Sequence, residues 1–294
     1  MAVLVFLSAL AAVSSFVLAP FAVRISRTLG AIDTPDGVRK LHTFPMPKLG
    51  GFGIYFSFFV SMTALFCFGS ELTERLGSAL LIGGAAAVFV GAADDIFSFQ
   101  AFEKLSLGGL ISLTVSLYMT DISDFDRPVP CIFRLFGNAL FILMMMNAYN
   151  MVDGSDGLCA TLALVPLFFM SGNPAALLLF FSVLGFLPYN LPAVIYLGES
   201  GAGLLGFLTA VIFIWGGTDA VALGGMLPFL AELTGTVIRR AASFRHPFSS
   251  DRGHIHHRLL SLGLNPHCVA ALLGAISLLA GGVVFLVRVG VRAF

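Results

Sequence analysis

Charge is what this sequence has least of: 11% of its 294 residues are charged, against about 25% in a typical soluble domain. Lysine plus arginine equals aspartate plus glutamate, 16 of each, so net charge is zero. That balance excludes the basic footprint by which proteins hold nucleic acid, and no nucleic-acid partner is expected. Cysteine is sparse as well. Cys67, Cys131, Cys159 and Cys268 are scattered, without the paired spacing of a zinc site or the density of a disulfide framework. The alternating strands of about ten residues that build a transmembrane barrel are missing too, as are internal repeats and low-complexity tracts. The first residues, MAVLVFLSALAAVSSFVLAP, lack the basic n-region of a secretory signal and read as a first membrane span.

What the chain does have is apolar length. It is 58% hydrophobic, and runs near the roughly 20 residues needed to cross a bilayer recur throughout. This predicts an all-α, polytopic membrane bundle in a single domain over residues 1–294, in contact with membrane lipids. Spans are expected near 2–21, 49–69, 77–95, 105–120, 132–151, 157–171, 174–190, 201–216, 220–240 and 267–288, about ten helices. Pro166 and Pro174 interrupt the region 157–190, where boundaries are least defined. Basic residues then separate by parity. Arg24, Arg27, Arg39, Lys40, Lys48, Lys104, Arg239, Arg240, Arg245, Arg252 and Arg258 fall on one side, and only Arg75, Arg127, Arg134, Arg288 and Arg292 on the other. The positive-inside rule assigns the first side to the cytoplasm and both termini to the outside.

The same parity gathers the unusual polar residues. The 24–48 loop, ADD at Ala93–Asp95, NAYNMVDGSDG at Asn147–Gly157, LGES at Leu197–Ser200 and SSDRGHIHHRL at Ser249–Leu259 all reach the cytoplasmic surface. Five clusters from distant parts of the chain on one face are better explained by one composite site than by five separate ones.

Asn147, Asn150, Asp153 and Asp156 step by three, and on an ideal helix such steps fan over half the circumference. Gly154 and Gly157 let the helix end there. Carboxylates at a helix C-terminus oppose the macrodipole. Either water wets this end, or a cation or donor-rich ligand offsets its charge. Asp94 and Asp95 repeat the problem at the end of LLIGGAAAVFVGA; taken alone the pair reads as a solvated helix end. Mg²⁺, a hard cation that takes oxygen ligands and keeps waters, would make both clusters favourable. Lys40, His42 and Lys48 precede Gly50–Gly51 at the start of a helix, which suits a phosphate unless it is an ordinary positive-inside loop. His254, His256, His257 and Arg258 bunch donors near Asp251 and Arg252; zinc is the usual reading of such a cluster, but no cysteine accompanies it and the spacing is not H-E-x-x-H. Carboxylates for a metal, a basic pocket for phosphates and a position at the membrane surface together point to phosphoryl transfer to or from a lipid.

Five stretches, in order, resemble one family: DTPDGVRKLHTFPMPKLGG (Asp33–Gly51), GAADD (Gly91–Asp95), NAYNMVDGSDGL (Asn147–Leu158), YLGESGAGLLG (Tyr196–Gly206) and SSDRGHIHHRLL (Ser249–Leu260). The family is the bacterial polyprenyl-phosphate N-acetylhexosamine-1-phosphate transferases. The resemblance implies transfer of a sugar 1-phosphate from a UDP-sugar to undecaprenyl phosphate, with release of UMP and a requirement for Mg²⁺, for which Mn²⁺ can substitute. By the same resemblance Asp94 or Asp95 readies the lipid phosphate with Lys104 nearby, as against an aspartate nucleophile and a covalent intermediate. It implies nucleotide contacts from Asp153 and Asp156 and a metal contact from Asn150, with Asn147 completing the quartet. His254, His256, His257 and Arg258 would recognise the sugar or diphosphate. The HIHHRL form is similar to the N-acetylglucosamine branch, and a modified N-acetylhexosamine is the alternative donor. A homodimer is compatible with the sequence.

Two departures stand out. Glu199 and Ala202 replace the aspartate and serine of the family's usual G-D-x-G-S, and AELTGT, with Glu232, replaces a segment where aspartate and threonine are common. Glu199 keeps a carboxylate with one more methylene, and is expected either to hold the metal or to cap the next helix. A secondary transporter, the reading from another class, would place its charges near the bilayer midplane on broken helices, often with a repeat. Here they collect at one surface.

Overall fold

The computed structural model describes residues 1–35, 44–68, 74–120, 129–154, 156–217, 219–243 and 253–292. Lys40, His42, Arg245, Asp251 and Arg252 lie outside these residues. An apolar segment in lipid has no water to satisfy its backbone, so it coils into helix. The described residues form α1 (Ala2–Leu29), α2 (Gly50–Cys67), α3 (Glu74–Phe97), α4 (Ala101–Met119), α5 (Cys131–Val152), α6 (Leu158–Phe169), α7 (Pro174–Asn190), α8 (Gly198–Trp215), α9 (Ala220–Gly225), α10 (Leu227–Ala242), α11 (Ile255–Ser261) and α12 (Pro266–Arg292). One antiparallel ribbon joins β1 (Ile32–Asp33) to β2 (Met46–Pro47), with Ile32 opposite Pro47.

By length and composition α1, α2, α3, α5, α8 and α12 are able to cross a membrane, and α6 and α7 are shorter apolar helices. The chain is an all-α, multi-pass membrane protein. Two boundaries differ from the sequence-based expectation. Helix α1 continues to Leu29 and stops where Gly30 takes a left-handed φ of 72°. The span expected at 220–240 is two helices meeting at Met226. Pro228 has no N–H to donate back into α9, and its fixed φ instead suits the first turn of α10.

Helix α8 is apolar around its whole circumference, and it is the buried centre of the bundle, packed on α2, α3 and α5. Helices α1 and α12 lie outside and leave Phe6, Phe16, Phe21, Phe285 and Leu286 exposed, as contact with lipid requires.

Small residues bring backbones together where α8 begins. A Cβ on Gly51 would fall 2.4 Å from the Ser200 carbonyl, and one on Gly91 would fall 2.6 Å from the Glu199 carbonyl oxygen and the Ser200 Cα. Backbone atoms cannot rotate away, so Gly91→Ala is expected to cost about 1–3 kcal/mol of stability, the usual range for overpacking. Thermal unfolding in detergent measures it; an unchanged Tm would mean that α3 and α8 do not touch there. The ribbon fastens the same place from outside. Tyr196 N–H donates to the Pro47 carbonyl at 2.8 Å, and Gly50 N–H donates to the Tyr196 carbonyl at 3.1 Å.

Candidate active site

Asp94 and Asp95 occupy the last turn of α3, and each residue is only 5% exposed. Successive residues on a helix point about 100° apart, so the two carboxylates meet different neighbours. Asp94 Oδ2 lies 2.6 Å from Lys104 Nζ, and its Oδ1 accepts the Phe99 N–H at 2.7 Å. Asp95 turns the other way. Its Oδ1 accepts the Glu199 N–H at 3.1 Å and its Oδ2 the Ser200 N–H at 3.0 Å, with Lys48 Nζ 4.0 Å from Oδ1. Asp95 therefore caps the N-terminus of α8, where unpaired amides and the helix dipole favour an anion. Gly198 makes room for this. Its φ is 67°, and a Cβ there would sit 2.1 Å from the Lys48 carbonyl oxygen and 2.5 Å from Asp95 Oδ2.

The side chain of the capped residue faces the opposite wall. Glu199 Oε1 accepts from Lys104 Nζ at 2.9 Å and from Asn150 Nδ2 at 3.0 Å. Lys104 thus bridges Asp94 of α3 and Glu199 of α8, and Asn150 ties in α5. These four residues and Asn147, which donates to its own helix at Leu143, line a cavity of about 60 Å³. A cavity of that size is ample for an ion or ordered waters. A second, apolar cavity of about 410 Å³ lies between α3 and α4, further along α3 from the carboxylates, walled by Ile82, Ala86, Leu110, Ile111 and Tyr118.

Asp153 ends α5 beside this group. Burial, and then the charges of Glu199 and Asp95, hold its carboxyl well above the usual carboxylate range. The neighbouring Asp156 hydrogen-bonds Tyr196, which ties the quartet's far end to the loop before α8. Three carboxylates, Asp94, Asp95 and Glu199, thus face the two ammonium groups of Lys48 and Lys104, with the Asp153 carboxyl beside them. The donor set is oxygen-rich and carries excess negative charge, which fits a hard divalent cation. Among the described residues no three His, Cys, Asp or Glu side chains form a ready-made metal cage. Mg²⁺ needs none, because it binds through one or two carboxylates and completes its shell with water and substrate phosphate.

The histidine motif forms α11. His256 is 2% exposed, and a Cβ on Gly154 would fall 2.1 Å from its Nε2, so the ring lies directly against the turn after Asp153. Burial and the neighbouring His257 and His254 rings lower its pKa to about 3, leaving it neutral. Among the described residues its Nε2 has no hydrogen-bond partner, an arrangement that calls for an explanation in a buried group. The His257 ring centroid is 4.3 Å from that of His256, whereas Arg258 is exposed.

The structure thus brings Lys48, Asp94, Asp95, Lys104, Asn147, Asn150, Asp153 and Glu199 together, with His256 against the same segment and Asp156 one turn away through Tyr196. Two contributors are given no role by motif reasoning. Tyr196 opens one of the matching stretches but carries no charge to draw attention. Glu232 is marked in the sequence only as a departure, yet it accepts hydrogen bonds from both His254 and the backbone of α11.

Fold and site define a multi-pass helical membrane protein with a buried carboxylate and lysine cluster at one end of the bundle. Residues 78–217 match the profile of glycosyl transferase family 4, and the chain belongs to that family. It is similar to the "Probable undecaprenyl-phosphate N-acetylglucosaminyl 1-phosphate transferase" of Bacillus subtilis (strain 168), 30% identical over 278 residues, 85% of this chain and 75% of that one. It is 32% identical over 231 residues to the undecaprenyl-phosphate alpha-N-acetylglucosaminyl 1-phosphate transferase of Thermotoga maritima, 77% of this chain and 72% of the relative. The decaprenyl-phosphate N-acetylglucosaminephosphotransferase of Mycobacterium tuberculosis is 29% identical over 306 residues, 86% of this chain and 74% of that one. The family match runs from α3 to α8 and so includes the aspartate pair, Lys104, the quartet and Glu199, but not the histidine helix.

Proposed function

We propose that this protein transfers N-acetylglucosamine 1-phosphate, or a modified N-acetylhexosamine 1-phosphate, from a UDP-sugar to undecaprenyl phosphate and so starts a lipid-linked glycan. The observation that carries this reading is the Asp94–Lys104–Glu199–Asn150 linkage around a cavity at the membrane end of α3, α4, α5 and α8. It offers a cation for phosphate and carboxylates for a metal, at the depth where a lipid headgroup lies. The apolar cavity between α3 and α4 supports a lipid acceptor.

In the reaction an oxygen of the lipid phosphate attacks the sugar-bearing phosphorus of the donor diphosphate. The bond to the UMP phosphate breaks, UMP leaves, and the sugar C1–O bond is untouched, so anomeric configuration is retained. Asp94, paired with Lys104 and lining the cavity, is placed to orient the incoming phosphate. Asp95 spends both oxygens on α8 and acts by placing Glu199. Glu199 and Asn150, with Asp153 beside them, would hold Mg²⁺, which neutralises charge on the diphosphate. His256, with its unpartnered nitrogen, and His254, His257 and Arg258 lie on the donor side, where Lys48 adds a cation.

In this reading the site lies at the cytoplasmic face of the inner membrane; about ten helices, counting α9 with α10 as one, and the excess of lysine and arginine on the site's side support it. Purified protein is expected to make UMP from UDP-N-acetylglucosamine only when Mg²⁺ and undecaprenyl phosphate are both present. Mn²⁺ is expected to replace Mg²⁺ in part. Equal UMP release in EDTA would sink the metal-dependent reading, and a panel of labelled UDP-sugars scored for lipid-linked product identifies the donor.

A further inference from the structure

The histidine helix α11 is short, and a helix of two turns has little intrinsic stability. Something outside it must fix its position. Glu232 of α10 is 2% exposed and receives four donors. Its Oε2 accepts the Ile255 N–H, the first of α11, at 2.6 Å. Its Oε1 accepts from His254 Nδ1 at 2.9 Å, Thr236 Oγ1 at 2.9 Å and Arg239 Nη2 at 3.3 Å. A carboxylate only accepts, so Nδ1 of His254 carries the proton and the tautomer of that ring is set. One turn before Glu232 on the same face of α10, Phe229 stacks on Tyr149 of α5 with centroids 3.7 Å apart and planes 2° from parallel. The carboxylate is therefore mounted on a helix locked against the one that carries the Asn147–Asp156 segment. Two residues beyond His254, the His256 ring stacks parallel to that of His254 at 5.7 Å and abuts Gly154.

We propose that Glu232 is a positioning residue: it fixes the start of α11 so that the histidines face the Asn147–Asp156 segment and form the donor's binding surface. The donor role rests on the function proposed above; the positioning does not. Glu232 itself touches no substrate. Its effect passes through His254 and the Ile255 amide, as outer-shell carboxylates orient histidine ligands elsewhere.

Detergent-purified full-length wild type, Glu232→Gln and Glu232→Asp are compared in two measurements. In the first, Glu232→Gln is expected to raise the KM for UDP-N-acetylglucosamine about tenfold or more, the usual range for losing such a partner. The KM for undecaprenyl phosphate is expected to stay unchanged, and Glu232→Asp to recover part of the donor affinity. The second needs no substrate: diethyl pyrocarbonate modification of each histidine is followed by peptide mass. His256 is expected to be protected in wild type and to react in Glu232→Gln as fast as exposed His267, with Glu232→Asp between them. The Asp variant serves alone if the Gln variant does not fold. Continued protection of His256 overturns the proposal, as does a lowered Tm with both KM values raised together, which marks a merely structural role. If wild type turns over no UDP-sugar, the proposed function fails while the protection of His256 still decides the positioning.

Discussion

Replacing Glu199 by Gln is expected to lower turnover at saturating UDP-N-acetylglucosamine about 100-fold, the scale of loss when reacting groups are misplaced by about 1 Å. The amide keeps the shape but removes the charge that pairs with Lys104 and accepts from Asn150. Magnitude separates two accounts. Lys104 and Glu199 side chains are 35% and 28% exposed, and an ion pair of that kind is worth roughly 0–1 kcal/mol, or at most about fivefold. A loss within that range would make Glu199 an ordinary surface partner of Lys104. A loss of orders of magnitude, in protein that remains folded in the membrane, places it in the site. Glu199→Asp is expected to keep partial activity with a shifted Mg²⁺ or Mn²⁺ optimum, because a shorter carboxylate changes metal geometry without removing charge. Normal turnover and a normal Mg²⁺ titration in Glu199→Gln would falsify the assignment.

The second large effect is expected at Asp95 for a different reason. Both its oxygens accept backbone N–H groups of α8. In Asp95→Asn one of those oxygens becomes an NH₂ group, a donor facing a donor. One cap bond is lost, at a cost near 1 kcal/mol of stability, and the start of α8 shifts. Glu199, which lies in the capped turn, moves with it. Turnover is therefore expected to fall as far as in Glu199→Gln, about 100-fold. The two residues act through one geometry, so the double variant should be little worse than either single one, a non-additivity that a double-mutant cycle reads directly. Multiplying losses would show that Asp95 contributes independently of Glu199. Asp94→Asn reaches the same geometry by another path. Its carboxylate meets Lys104 and the Phe99 N–H, and Lys104 also holds Glu199, so its loss should be less than additive with Glu199→Gln.

The spacing of like residues says which turn of a helix they occupy but not which helix stands opposite. That limit explains what the sequence does and does not resolve here. Two adjacent aspartates at the end of an apolar run read alone as a solvated helix end, and become a candidate site only beside the other polar clusters. Their division of labour, one on a lysine and one on a helix N-terminus, depends on the placement of α4 and α8 on either side of α3. Glu199 is open in sequence between a ligand and a cap. The structure gives the capping bonds to Asp95 and leaves the Glu199 side chain free to face the cavity. The role of Glu232 is not legible in the sequence, because two of its partners, His254 and the Ile255 amide, lie 22 and 23 residues along the chain on another element.

By itself the sequence determined that this chain lives in a bilayer, since so many apolar residues with so few charges cannot be kept in water. It also pointed to the scarce polar residues collecting at one end, because successive spans return the chain to the same surface at every second crossing. Only the tertiary structure decided which of those residues meet. Close approach at Gly51, Gly91 and Gly198 seats the start of α8 against α2 and α3, and Pro228 breaks the late span so that α10 carries Glu232 to the histidines. Those contacts depend on distances of a few ångströms between segments far apart in the chain, and helical periodicity, a local property, carries no information about them.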